Sequence, residues 1–363
     1  MTPHFTKIHN RFKLNGHHFS FEALKEVAYS LVKEGESFEQ DIGQFLMDWL
    51  DASSTVSVKT SGSTGVPKTI KIQKQYMVNS AIATGDYFKL EPGDTALHCL
   101  PSKFIAGKMM LVRALVLGLE LECVQPSSSP VWETEKHYDF SAMVPLQLSN
   151  VLSATQNISK LIVGGAKLSD DLKTRILQTH LKCYETYGMT ETITHVAVKA
   201  VTSKGQNGDI YFKALPNVNF SQDERDCLVV DAPTISKDTI VTNDVVDLKS
   251  ETSFEWLGRY DNVINSGGLK LFPEQLEELL SKIITEPFMV SSIPDDVLGQ
   301  KVVLIVESET LDHAILLETI KSSKFLSKQQ LPKQIVGLKR LVYTKNGKLQ
   351  RQKTKQLAID TLT

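Results

Sequence analysis

Thr60-Ser-Gly-Ser-Thr-Gly-Val-Pro-Lys68 carries more information than any other stretch of this sequence. Its two glycines let the backbone approach an anion without interference from Cβ, and let successive N–H groups converge into a concave nest. Ser61, Ser63 and Thr64 add hydroxyl donors and Lys68 adds a positive charge. Such a set suits a polyphosphate, whose oxygens need many donors in a small volume. The mononucleotide P-loop needs glycine directly before its lysine and a helix after it. Here Pro67 stands before the lysine, and Thr69-Ile-Lys-Ile-Gln73 reads as a strand. The plain alternative for these residues alone is a flexible hairpin loop.

Outward from the loop, Val56 and Val58 on one side and Ile70 and Ile72 on the other alternate with polar residues, so two strands flank it. Upstream, Phe21, Leu24, Ala28 and Leu31 share one helical face and Gly35 stops it. A second helix opens at Ser37-Phe-Glu-Gln40 as a capping box and carries Ile42, Phe45, Leu46, Trp49 and Leu50 on a stripe. Downstream come an apolar helix (105–119), a short strand (121–124), a Ser/Pro-rich loop (125–130), a buried strand at Leu161-Ile-Val163 before Gly164-Gly165, and alternation over 193–201. The mixture predicts an α/β fold: a large N-terminal domain of layered mixed sheets and helices.

The last hundred residues read as a smaller α+β module. Pro273 opens a helix with Leu276, Leu279, Leu280, Ile283 and Ile284 on one face. A strand at 301–306, a helix near 314–320 and a basic tail complete it. The boundary is expected near Arg259 to Asn262, giving domains 1–259 and 260–363.

Composition narrows the function. The 363 residues are 41% hydrophobic and 23% charged, as in soluble globular proteins, and suit two or three domains. A net charge of −2 gives no reason to expect nucleic acid or an anionic membrane as partner. The apolar run 109–124 is broken by Arg113 and Glu120 and is too short to span a bilayer, and the N-terminus lacks a secretory pattern. Cys99, Cys123, Cys183 and Cys227 form no C-x-x-C pair, so reduced buried thiols and a cytoplasmic location are expected.

The nine-residue loop resembles the signature of the adenylate-forming (AMP-binding) superfamily, which includes acyl- and aryl-CoA synthetases and peptide-synthetase adenylation domains. Five further segments match in the family's order. Leu161-Ile-Val-Gly-Gly-Ala166 resembles the strand and turn beside the adenine, with Gly164, Gly165 and Ala166 against the base. Tyr187-Gly-Met-Thr-Glu-Thr192 implies Tyr187 on the adenine ring, Gly188 and Met189 in the nucleotide turn, Thr190 at the α-phosphate and Glu191 on Mg²⁺. Thr242-Asn-Asp244 resembles Thr-Gly-Asp, whose aspartate takes the ribose hydroxyls. Asn243 replaces the glycine, and a left-handed turn there would tolerate it. In the segment 258–277, the resemblance puts Arg259 at the nucleotide, a hinge at Asp261, and Gly267, Gly268 and Lys270 on the face that meets the thiol. Thr344-Lys-Asn-Gly-Lys-Leu-Gln-Arg351 is similar to the closing motif, whose catalytic lysine is Lys348 here.

The resemblance implies ATP, Mg²⁺ and coenzyme A, a fold shortened at the N-terminus, and a small C-terminal domain on a hinge. Among compact relatives are bacterial o-succinylbenzoate–CoA ligases of menaquinone biosynthesis, which 104–114 and 187–195 resemble. A second carboxylate on that substrate needs a cation or strong donors, for which Lys103, Lys108, Arg113 and His195 are candidates, each equally readable as a structural or solvated residue. Another aryl- or acyl-CoA ligase and an adenylation domain loading a separate carrier protein are the other readings. A nucleotide-binding module without catalysis is disfavoured by Glu191 and Lys348.

Overall fold

The computed structural model describes residues 2–59, 69–202, 211–308, 310, 312–343 and 349–362. Of the expected site, Thr60, Ser61, Gly62, Ser63, Thr64, Gly65, Lys68 and Lys348 lie outside the described residues. The described chain forms two compact units.

The first unit takes in 1–221, 229–240 and 248–255. It opens with β1 (Lys13–Leu14) and β2 (His17–His18), followed by α1 (Phe21–Glu34) and α2 (Ser37–Leu50). Ser20 Oγ accepts from Ala23 N–H at 3.2 Å to start α1, and Gly35 N–H donates to Leu31 O at 3.1 Å to close it. The apolar stripes bury Leu24 and Ala28 on α1, and Ile42, Phe45, Leu46, Trp49 and Leu50 on α2. The capping box lies one residue earlier than its sequence reading. Ser37 is already helical, and Glu39 Oε2 reaches back to accept from Glu36 N–H at 2.8 Å.

β3 (Thr55–Lys59) and β4 (Thr69–Gln73) pair antiparallel with Lys59 opposite Thr69, so the strands expected on either side of the phosphate loop are present. Next come α3 (Lys74–Phe88), β5 (Thr95–His98), α4 (Ile105–Leu117), β6 (Glu120–Cys123), β7 (Tyr138–Met143), α5 (Pro145–Val151), β8 (Ile158–Val163), α6 (Asp170–Ile176) and β9 (Lys182–Gly188). Strands β9-β8-β7-β5-β6 stand side by side and parallel. Alternating strands and helices require that topology, because a parallel neighbour is reached only through a crossover. Their apolar residues enclose a core around Leu97, Tyr138, Leu148, Leu161, Val163 and Leu172. β10 (His195–Ala200) and β11 (Phe212–Ala214) continue the sheet antiparallel. β12 (Asn219–Gln222), β13 (Cys227–Asp231), β14 (Ile240–Ser250) and β15 (Ser253–Arg259) follow, with β15 paired to β11.

The second unit takes in 222–228, 241–247 and 256–363, so it is not the single stretch read from the sequence. Its own sheet comprises β16 (Ile264–Ser266), β17 (Leu269–Leu271), β18 (Phe288–Asp295), β19 (Gly299–Glu307) and β20 (Gln334–Leu338), with α7 (Pro273–Leu280), α8 (His313–Ser322) and α9 (Arg351–Leu362). Ile264, Leu276, Leu280, Val302, Leu304 and Ile320 form its core. The basic tail is largely helical, with Thr354 and Ala358 of α9 buried. Among the described residues no helix is long and apolar enough to cross a membrane. All four cysteines are free thiols, three of them buried.

Candidate active site

Parallel sheets place ligands at the carboxyl ends of their strands. In the first unit those ends carry the residues singled out from the sequence. β8 ends at Val163, and Gly164 packs so closely on β9 that a Cβ there would meet Thr186 Oγ1 at 2.4 Å. Gly165 adopts φ +88° and, with Ala166, is exposed at the strand end. The Thr186 hydroxyl at 164 and the positive φ at 165 therefore favour glycine at these two positions before any ligand is considered.

β9 ends in Tyr187 and Gly188. The half-buried Tyr187 ring meets Phe254 edge-on at 5.1 Å and Phe212 at 5.9 Å. A Cβ on Gly188 would lie 2.2 Å from Thr194 O and 2.5 Å from His195 Cα, so no other residue fits. The turn beyond is held by Thr192, which is fully buried. Its hydroxyl accepts from Met189 N–H at 2.9 Å and lies within donating distance of Met189 O and Thr194 O. Ile193 adopts φ +67°, an unfavourable conformation for a β-branched residue, which marks this turn as held under strain. Thr190 is half-buried and Glu191 exposed on the same turn.

Behind that turn lies a buried cation. Arg113 of α4 is 1% exposed. Its guanidinium is 3.4 Å from Thr84 Oγ1, 3.3 Å from Thr194 Oγ1 and 3.5 Å from His195 Nδ1. Among the described residues no carboxylate pairs with it, and burial pushes its pKa down to about 9. His195 is also buried, and desolvation with the adjacent Arg113 charge holds its pKa well below the usual histidine value. Its Nε2 has no hydrogen-bond partner among the described residues. Buried charges and polar atoms are ordinarily paired, whereas among the described residues this guanidinium meets neutral groups alone.

The other two candidate cations stand elsewhere. Lys108 lies five residues before Arg113 on α4, about 140° around the helix. Its ammonium sits 4.7 Å above the Phe45 ring of α2, and burial lowers its pKa despite Asp41 and Asp48. Lys103 is exposed, over the ring of Phe104 at 5.4 Å.

The second unit gathers the ribose and hinge candidates. Thr242-Asn-Asp244 is not a turn, as read from the sequence, but lies within β14, where Asn243 needs no left-handed backbone. The strand directs Asp244 to the indole N–H of Trp256 at 3.2 Å and to Arg259 at 3.5 Å. Asp261 Oδ2 accepts from Asn243 Nδ2 at 3.3 Å and lies 3.8 Å from Arg259. Gly267 and Gly268 (φ +57° and +82°) make the two-residue turn between β16 and β17, the backbone that a tight hairpin demands. Lys270 follows and pairs with Asp226 at 2.9 Å. Sequence reasoning missed Thr84, Thr194, Trp256, Arg225 and Asp226. Only Thr194, directly before the candidate His195, carried any local signal.

A family model described as AMP-binding enzyme matches residues 30–231, just over half of the chain. A 2-succinylbenzoate–CoA ligase from Staphylococcus epidermidis is 27% identical over 325 residues, covering 82% of this chain and 68% of that protein. The chain spans 65% of the length of the Staphylococcus aureus protein of the same name. An acyl-CoA synthetase (AMP-forming)/AMP-acid ligase II-like protein from Dyadobacter fermentans is 32% identical, with a TM-score of 0.61, over 92% of this chain and 98% of that one. The fold is shared with a Bacillus subtilis O-succinylbenzoate coenzyme A synthetase in complex with ATP and magnesium ion, at 19% identity, TM-score 0.68, and coverage of 93% and 82%.

Proposed function

Because the chain belongs to the AMP-binding enzyme family, we propose that it is an ATP-dependent acid–thiol ligase whose acid is o-succinylbenzoate. The acid's carboxylate oxygen attacks the α-phosphorus of ATP in line, the α–β bridging bond breaks, and pyrophosphate leaves. The sulfur of coenzyme A then attacks the acyl carbonyl and expels AMP, and the thiol proton passes to solvent. Both substrates belong to the cytoplasm, and menaquinone biosynthesis consumes such a thioester.

Residue roles follow the family resemblance. The loop from Thr60 to Lys68 cradles the phosphates, Thr190 meets the α-phosphate, and Lys348 draws the carboxylate and phosphate together, offsetting their repulsion. Asp244 takes the ribose hydroxyls, with Arg259 beside it. Magnesium needs few protein ligands when phosphate oxygens are present, and the exposed Glu191 suits it. Among the described residues no cluster of three or more His, Cys, Asp or Glu offers a rival site. Bound there, magnesium would neutralise charge on the departing pyrophosphate. Residues 260–363 then pivot at Asp261, exchanging Lys348 for the Gly267–Lys270 face where the thiol arrives.

One observation supports the choice of acid: the guanidinium of Arg113, buried beside the Tyr187–Thr192 turn without a carboxylate partner among the described residues. A diacid brings the missing anion, whereas a fatty or simple aryl acid leaves the charge bare. Pyrophosphate release should be measured across a panel of mono- and dicarboxylic acids, with and without coenzyme A. Strong release with o-succinylbenzoate, and thioester formation when coenzyme A is added, is the expected result. A preference for monocarboxylates removes the substrate assignment, and adenylate formation without thioester points instead to a carrier-protein acceptor.

A further inference from the structure

Glu185 of β9 is a buried carboxylate, 3% exposed, that none of the roles proposed above uses. Leu168 N–H donates to its Oε1 at 3.1 Å, which fastens the far end of the segment 164–168. The near end is fastened separately. Gly164 N–H donates to Met143 O at 3.2 Å, and Thr186 Oγ1 donates to Val163 O at 3.1 Å. Gly165, Ala166 and Lys167 stand exposed between these anchors. Glu185 therefore fixes one end of the turn that the family resemblance places against the adenine.

The other carboxylate oxygen faces β10. Glu185 and Lys199 are directly opposite in the β9–β10 pairing, and Lys199 Nζ lies 2.9 Å from Oε2. Oε2 has no aligned hydrogen-bond donor among the described residues, so attraction between charges carries this side of the tie. The Lys199 ammonium also lies over the Phe212 ring at 4.4 Å, and Phe212 packs on Tyr187 at 5.9 Å. One carboxylate thus links the 164–168 turn to the aromatic ring beside Tyr187. All of these residues belong to the first unit.

A buried ion pair is a poor device for stability alone, because taking both charges out of water offsets most of their attraction. A glutamine at 185 would satisfy Leu168 N–H as well, so what the charge adds is the hold on Lys199. We propose that Glu185 and Lys199 are positioning residues that fix the 164–168 turn relative to Tyr187 and so set the affinity for the adenine base. This role rests on the nucleotide-binding reading given above.

Equilibrium titration of the full chain with ATP and with AMP, in parallel with pyrophosphate release, tests it. Glu185→Gln and Lys199→Met should each weaken both nucleotides about tenfold and by the same factor, because the tie lies on the base side. The double variant should bind no worse than the weaker single one, since both substitutions remove one link. Lys199→Arg, which keeps the charge, should bind nearly as the wild type does. KM for ATP should rise with the dissociation constant, while kcat and KM for the acid stay within about twofold. A lowered melting temperature with unchanged nucleotide affinity overturns the proposal and leaves the pair as scaffold. So does weakening of ATP without AMP, a parallel rise in KM for the acid, or a Lys199→Arg variant as weak as Lys199→Met. If the wild type binds ATP yet releases no pyrophosphate with any acid, the ligase reading fails and the titrations still decide the role of the pair. A wild type that binds neither nucleotide overturns both.

Discussion

Nη2 of Arg113 lies 3.5 Å from Nδ1 of His195, and neither side chain has a carboxylate to balance it among the described residues. A charged guanidinium thus lies beside a neutral imidazole. On the proposed function, a substrate carboxylate would offset the cost of burying that charge.

Replacing this cation should therefore separate activity from stability. Arg113→Leu is expected to lower kcat/KM for o-succinylbenzoate by about two to three orders of magnitude, the range for removing one partner of a buried charge pair. The same variant should melt higher, by about 1–4 kcal/mol of stability. A lower melting temperature with unaltered kinetics would assign Arg113 to the scaffold.

Stability should fall on the acid side through buried histidines. His98 is 2% exposed, its Nε2 lies 2.8 Å from Ser102 Oγ, and burial holds its pKa down to about 4. Its folded pKa lies below the unfolded value near 6.5, so the unfolded chain takes the proton first as pH drops. The contribution is whole above about pH 6.5 and is lost progressively down to about pH 4, at up to about 1.4 kcal/mol per pH unit. His195 acts with the same sign. Melting curves from pH 7 to 4 should show His98→Asn with a shallower acid slope than wild type. Equal slopes would refute this assignment.

Gly188→Ala should be severely damaging, because the new methyl meets backbone, Thr194 O at 2.2 Å and His195 Cα at 2.5 Å. No side-chain rotation relieves that overlap. A loss of about 1–3 kcal/mol in denaturant unfolding is expected, with adenylate formation impaired further through Thr190 and Glu191. Gly268→Ala is a useful comparison, since among the described residues its Cβ would meet nothing within 4 Å, leaving backbone strain at φ +82° as its cost.

Lys348→Ala should abolish most adenylate formation, by about 10²–10³-fold. Thioester synthesis from supplied acyl-adenylate should be spared. Equal loss in both half-reactions would contradict the exchange of faces at Asp261.

Local patterns made much of the fold legible. Apolar spacing located α1, α2, α4 and α7, and period-two alternation located β3, β4 and β10, since burial of one face demands these periods. α3 was not read, because Lys74, Ser80 and Thr84 are buried and blur its stripe. α9 is legible only as a basic tail, because only Thr354 and Ala358 of its twelve residues are buried. The resemblance to Thr-Gly-Asp implies a turn at Thr242–Asp244, yet pairing within β14 makes it strand. The same limit governs the site. Tyr187, Gly188 and Glu191 are contiguous and could be read together. Arg113 and His195 meet only through the fold, and nothing local separates a buried arginine from the solvated Lys103.

Burial drives the pKa of Cys99 and of Cys183 up to about 12, and those of Cys123 and Cys227 also rise. At neutral pH almost none of them is a thiolate, the form that reacts with an electrophile. A ligase that holds a mixed anhydride until an outside sulfur arrives is exposed to self-acylation by any ionised cysteine of its own. On the proposed function, keeping these four protonated leaves the visiting thiol as the unrivalled soft nucleophile.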